Sequence, residues 1–194
     1  MQHYIVGLGN PGEEYKSTRH NVGFAALAYI VDVSHFPSFV PSSKYGGLIS
    51  EGVLEGKDVT LLLPDTFMNM SGSAVKKLVG KGTEANLIVV YDDVDLPLGE
   101  IKISFGRGSG GHNGVKSIIE SLGSKEFVRI RIGVASLGFF GGMKRPTGDR
   151  LSQHVLGKFS KSEWKKLEEV LQRTTDALQA IVCEGVEKAM NEFN

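Results

Sequence analysis

The 194-residue chain is long enough for one domain with a sizeable core. Its 22 Lys plus Arg balance 22 Asp plus Glu, so attraction to a polyanion must come from a local patch and not from net charge. A lone cysteine, Cys183, excludes an internal disulfide and any multi-cysteine metal cluster, and no run approaches the roughly 18 apolar residues of a membrane span; a soluble, unprocessed, cytoplasmic protein is the expectation.

In chain order, His3 to Leu8 reads as a short buried strand. Val22, Ala25, Ala26, Tyr29, Ile30 and Val33 then recur at helical spacing, with Asn21 as the N-cap. Leu48 to Leu54 and Val59 to Leu63 flank Glu55-Gly56-Lys57-Asp58, the pattern of a hairpin around a Gly-containing loop. Ser71 is the expected cap of a helix through Val79. Asn86 to Tyr91 is a nearly all-apolar run of the kind a central strand shows, ending at Asp92.

Ile101 to Phe105 reads as another strand, Gly106 to Gly111 as a Gly-rich loop, and Val115, Ile118, Ile119 and Leu122 as one face of a helix. Val128, Ile130 and Ile132 alternate with Arg129, Arg131 and Gly133, as in a half-exposed strand. Residues 136–154 have little periodicity and are read as a mobile connection. Trp164, Leu167, Leu171, Leu178 and Ile181 mark a long amphipathic helix from Ser160, followed by a shorter one. Strands interspersed with helices, plus one hairpin, predict an α/β fold: a single domain over 1–194 with a mixed sheet.

Gly is 25 of 194 and clusters at a few turns, which points to loops where a backbone approaches a ligand. The first cluster, Gly7-Leu8-Gly9-Asn10-Pro11-Gly12, spells a dinucleotide fingerprint, with Asp32 about where a ribose-binding acid belongs. Pro11 keeps Asn10 out of the helical region, however, and the helical pattern starts only near Asn21, with Asp32 inside it. The strand-turn-helix context is missing. Beyond the turn stand Tyr15, Thr18, Arg19, His20 and Asn21, a dense polar set before a helix. Taken alone, His20 reads more readily as a satisfied structural histidine than as a base, and other segments must shift that balance.

Three more stretches carry chemistry. Asn69, in Phe67-Met68-Asn69-Met70-Ser71-Gly72, is either a turn former or an amide placed to bond a peptide group. Asp92, Asp93 and Asp95 stand at the carboxyl end of a buried strand, where ligands bind in open α/β sheets. They suit a Mg²⁺ site for phosphodiester cleavage or, with one Asp, the orientation of a histidine; Pro97 and Leu98 break a calcium loop. Gly106 to Gly114 precedes a helix, but Val115 interrupts the Gly-Lys-Ser of a P-loop. Lys102, Arg107, Arg129 and Arg131 form either a local anion patch or a solvated strand face.

The stretches GLGNPGEEYKSTRHNVGF, TFMNMSG, YDDVDLPLG and GSGGHNG, in this order and with VRIRIG and EGVEKAMNEFN, resemble the bacterial peptidyl-tRNA hydrolase family over essentially the whole chain. The resemblance implies a twisted mixed β-sheet flanked by helices, of the phosphorylase/hydrolase-like kind. It implies a metal-free, cofactor-free esterase that separates peptide from tRNA, acting as a cytoplasmic monomer on the acceptor stem, 3′ end and nascent peptide of its substrate. In that reading His20 is the general base and Asp92 orients it. Asn10, Asn69 and Asn113 position substrate and water, with Asn69 or Asn10 facing the developing oxyanion. Tyr15, Met68 and His112 line the cleft, and Arg131 and the helix after Gly114 meet tRNA phosphate. Where the family often has a clamp lysine this sequence has Ser104, with Lys102 and Arg107 as substitutes. Similar chains in plant organelles are splicing factors, so an RNA-binding module without turnover is the competing expectation.

Overall fold

The computed structural model describes residues 2–80, 82–136 and 146–194. Seven strands form one sheet: β1 (His3–Gly7), β2 (Val40–Ser42), β3 (Gly47–Leu54), β4 (Lys57–Pro64), β5 (Leu87–Pro97), β6 (Ile101–Phe105) and β7 (Val128–Ala135). Their order is β2-β3-β4-β1-β5-β7-β6. The four inner strands β4, β1, β5 and β7 run parallel, and β3, β2 and β6 add antiparallel at the two edges. From β1 the chain builds first toward β4 and later toward β5. The carboxyl end of β1 is therefore a topological switch point, where a crevice opens in such sheets.

Among the described residues, six α-helices accompany the sheet: α1 (Val22–Val33), α2 (Ser71–Leu78), α3 (Asn113–Leu122), α4 (Asp149–Leu156), α5 (Lys161–Glu184) and α6 (Val186–Phe193). Alternation along the strands divides the core in two. Ile5, Leu61, Ile88, Val90, Ile130 and Ile132 pack with α1, α5 and α6, whereas Val6, Leu62, Val89, Tyr91 and Phe127 pack with α2 and α3. No described helix is long and apolar enough to cross a membrane.

Local chemistry explains the joints. Glu55 and Gly56, both at positive φ (50° and 71°), make the two-residue turn of the β3–β4 hairpin, whose twist matches the strands. A Cβ on Gly23 would overlap the Val90 carbonyl and the Leu8 backbone, so glycine lets the start of α1 lie against the sheet. Ser160 and Glu163 close a capping box that starts α5 where the sequence places it. The open edge of β6 is blunted by a side chain: Ile103 donates its N–H to Asn194 Oδ1 at 2.7 Å and accepts from Asn194 Nδ2 at 3.1 Å.

Four expectations need correction. β7 is not half-exposed: it is buried along its length except at Arg131, and Arg129 is 1% exposed. Its Arg face lies under the Gly-rich loop, where Arg129 donates to the Gly108 carbonyl at 2.6 Å and to the Arg107 carbonyl, over the Phe127 ring. β5 does not end at Asp92 but continues to Pro97, with its pairing to β7 shifting register between Asp93 and Pro97. Ser71 is not the cap of α2; Met70 holds that position, and Ser71 Oγ donates back to the Met68 carbonyl. Within 136–154, residues 149–154 belong to α4, a helix of two turns with no fully buried residue, too short for its apolar spacing to stand out; residues 137–145 of that connection lie outside the described residues.

Candidate active site

The turn after β1 places Asn10 at the switch point, with its residue 7% exposed. Asn21 grips its backbone from both sides: Asn10 N–H donates to Asn21 Oδ1 and Asn21 Nδ2 donates to the Asn10 carbonyl, each at 2.9 Å. The sequence predicts Asn21 as the cap of α1, but its side chain makes no cap bond because its amide is spent on Asn10. The Asn10 side chain is fixed in turn, since Oδ1 accepts from Met68 N–H at 2.8 Å. That assignment settles which way the amide points and leaves Nδ2 as its remaining donor.

Arg19 to Asn21 form one 3₁₀ turn, which carries His20. Arg19 ties this turn to a distant part of the chain. Its N–H reaches the Gly157 carbonyl at 3.1 Å, Nη1 reaches the Lys158 carbonyl at 3.1 Å, and Nη2 meets both Glu163 oxygens at 2.8 and 3.0 Å. Glu163 thereby serves the α5 cap and the His20 turn at once. Such a brace limits the positions His20 can take.

His20 Nδ1 donates to Asp92 Oδ1 at 2.8 Å. Asp92 is 2% exposed and pairs in register with Ile132, just before the β5–β7 ladder shifts beyond Asp93. Its burial favours the neutral acid, yet His20 and His112 beside it outweigh that and hold the carboxyl well below the usual range. Burial likewise disfavours charge on His20, and the Asp92 carboxylate overcomes it, so the His20 pKa lies above 6.5. With Nδ1–H committed to Asp92, neutral His20 keeps a lone pair on Nε2.

His112 is the N-cap of α3, its Nδ1 accepting from Val115 N–H at 3.3 Å, while its Nε2 lies 3.0 Å from the same Asp92 oxygen. The rings of His20 and His112 are 5.1 Å apart, and Tyr91 packs on His112 at 4.7 Å. His20, Asp92 and His112 present donor atoms within 4.8 Å of one another, the one metal-like cluster among the described residues. Its protons oppose that use. An ion would have to displace both N–H protons on Asp92, and a ligating Nε2 on His112 would move the proton to Nδ1 and break the α3 cap.

Around these groups lies a cavity of about 610 Å³, reached by Lys102, Arg107, Asn113 and Arg131 together with His20, Asp92 and His112. Tyr15, Met68, Asn69 and Asn10 are not on its wall. Asn69 and Asn113 are exposed, each beside a helix start, while Tyr15 is half-buried and its carbonyl accepts from Thr18. Met68 is buried, and a Cβ on Gly114 would come within 2.6 Å of its sulfur.

Other motifs are resolved by their partners. The nucleotide fingerprint fails, because α1 begins ten residues past Gly12 and contains Asp32. The P-loop-like Ser117 is structural, its Oγ accepting from Gly72 N–H at 3.0 Å. The three acids do not converge on a Mg²⁺ position: Asp92 is held by imidazoles, and Asp93 binds Arg131 Nε at 2.5 Å and the Asp95 N–H at 2.7 Å. Arg131 thus keeps only its outer nitrogens for a phosphate. Asn21 is the functional residue that sequence reasoning missed. An Asn before a helix already has a local explanation as a cap, and only the placement of Asn10 reveals the other use.

The family model described as "Peptidyl-tRNA hydrolase" matches residues 4–194. A peptidyl-tRNA hydrolase of Thermodesulfovibrio yellowstonii is 44% identical, over 98% of this chain and 97% of that protein. One from Clostridium acetobutylicum is 43% identical, over 98% and 96%. The crystal structure of peptidyl-tRNA hydrolase from Acinetobacter baumannii superposes with a TM-score of 0.86 at 34% identity, covering 99% of this chain and 94% of that one. Matches of this length and identity, on a sheet that brings His20 to Asp92, show that the chain belongs to the peptidyl-tRNA hydrolase family.

Proposed function

We propose that this peptidyl-tRNA hydrolase cleaves its ester with His20 as general base, oriented by Asp92. The observation that carries the reading is the 2.8 Å bond from His20 Nδ1 to a buried carboxylate, which leaves Nε2 to accept a proton. Water attacks the carbonyl joining peptide to the terminal ribose, and His20 Nε2 takes its proton. The tetrahedral intermediate collapses, and the same proton passes to the leaving ribose oxygen, giving a free tRNA hydroxyl and a peptide carboxylic acid that loses its proton to solvent as a carboxylate.

Asn10 Nδ2 or Asn69 supplies a donor to the oxyanion, a contribution removed at a cost of about 10²-fold in comparable sites. Asn69 and Asn113 hold peptide amides, with Tyr15 and Met68 shaping that side. A site that bonds an N-acylated amine disfavours a free, charged one. Lys102, Arg107 and the outer nitrogens of Arg131 meet phosphates of the acceptor stem near the 3′ end.

The test is release of the blocked amino acid from N-acyl-aminoacyl-tRNA, with and without a chelator. Chelator-resistant turnover is expected, and His20→Ala lowers kcat by at least about 10²-fold. RNA binding without turnover by the folded protein would replace this reading with that of a binding module, and near-normal turnover by His20→Ala would remove the base.

A further inference from the structure

Asp92 Oδ1 receives two imidazoles, at 2.8 Å from His20 and 3.0 Å from His112. The tautomer of His112 is set by its other contact. Because Nδ1 accepts from Val115 N–H, its lone pair is in use, so the proton of neutral His112 sits on Nε2 and is donated to Asp92. One carboxylate oxygen thus carries two N–H donors, which its two lone pairs accommodate. We propose that His112 is a positioning residue: by sharing the Asp92 oxygen with His20, it limits how strongly that carboxylate holds a second proton on the His20 ring. The inference rests on His20 as the base.

The physical reason lies in the burial of Asp92, whose side chain is 1% exposed and has little water to share its charge. A donor on a carboxylate draws negative charge toward itself and weakens what remains for a neighbour. With His112 in place, Asp92 orients His20 while holding its second proton less strongly. Without that donor, the whole carboxylate acts on His20, the imidazolium is favoured, and less free base exists at a given pH.

The other charged groups around the pair are largely occupied elsewhere. On β5, Asp93 is bound to Arg131, and Tyr91 packs its ring on His112. Arg19, beside His20, is bound to Glu163, and Lys116 on α3 is paired with exposed Glu120. Arg129 is held by loop carbonyls, while exposed Lys102 and Arg107 line the same cavity without a hydrogen bond to either histidine or to Asp92. His154 of α4, the element packed on the His20 turn, bonds the Val134 carbonyl.

The test uses two substitutions that differ in which bond they keep. His112→Asn retains a short side-chain acceptor for the α3 cap but is too short to reach Asp92. His112→Gln places an amide N–H where Nε2 stood, and cannot become charged. Titration of the His20 ring by NMR is expected to move up by about half a unit to one unit in His112→Asn. The acidic limb of kcat/KM on N-acyl-aminoacyl-tRNA moves with it, while both stay near their wild-type positions in His112→Gln. A His20 midpoint in His112→Asn at or below the wild-type value, or an equal upward shift in both variants, would overturn the proposal. A purely structural role for His112 lowers activity without moving either midpoint. His20→Ala turnover judges the base separately, since the NMR midpoint reports the shared carboxylate whichever group attacks.

Discussion

Replacing Asn21 by leucine keeps nearly the same side-chain shape and deletes both amide partners of Asn10. In the folded protein these are two bonds of 2.9 Å to a residue only 7% exposed, so water does not readily replace them. Leaving a buried donor or acceptor unpaired costs about 1–3 kcal/mol, and two such groups on one residue give an expected loss of about 2–4 kcal/mol. That is a substantial fraction of the roughly 5–15 kcal/mol of a typical domain, but not all of it, and the variant still folds at room temperature. Urea unfolding measures the loss directly. Because Asn10 is also hung on Met68 N–H, its release displaces the amide proposed to meet the substrate, and kcat/KM is expected to fall by about 10-fold or more. A stability loss below about 0.5 kcal/mol for Asn21→Leu, the range of ordinary surface changes, would refute the clamp.

Asp92→Asn removes the charge that sustains the His20 proton. The wild-type acidic limb of kcat/KM is expected to have its midpoint above 6.5; the substitution moves it down and lowers kcat by about 10²–10³-fold through the wrong tautomer. A wild-type limb at or below 6.5 contradicts this. The same carboxylate, held below its usual 3.8, adds stability that is complete above that pH and is lost as pH falls beneath it. The stability gap between wild type and Asp92→Asn, read by urea unfolding, should therefore narrow in acid. Gly72→Ala puts a Cβ into the Ser117 carbonyl where α2 meets α3, and a loss of about 3 kcal/mol is expected; an unchanged unfolding midpoint would show that the helices can separate freely.

Most strands and helices are legible in the sequence because their apolar residues recur with the period of the element, as in β1, the β3–β4 hairpin and α5. β7 misleads because an Arg face with period two looks the same whether water or a loop covers it. Only the Gly-rich loop, folded back from β6, decides between them, and its carbonyls become the partners of Arg129. The site divides similarly. His20 and Asp92 lie 72 residues apart and are paired in sequence only through the resemblance, and the structure supplies the 2.8 Å contact. The double use of Asp92 and the grip of Asn21 are not legible, since hydrogen bonds between distant segments leave no local period. Helix-start polar residues hide such roles well, because capping already accounts for them: Ser71 and Asn21 both read as caps and neither acts as one.

The brace between Arg19 and Glu163 has a consequence for the order in which the molecule is made. His20 is synthesised early, but the carbonyls and carboxylate that fix its turn come 138 to 144 residues after Arg19. During its own translation this chain is itself a peptidyl-tRNA, the substance it destroys. A half-made copy carries His20 on a turn without its anchor, and so has no braced site to turn on the ester that holds it to its tRNA.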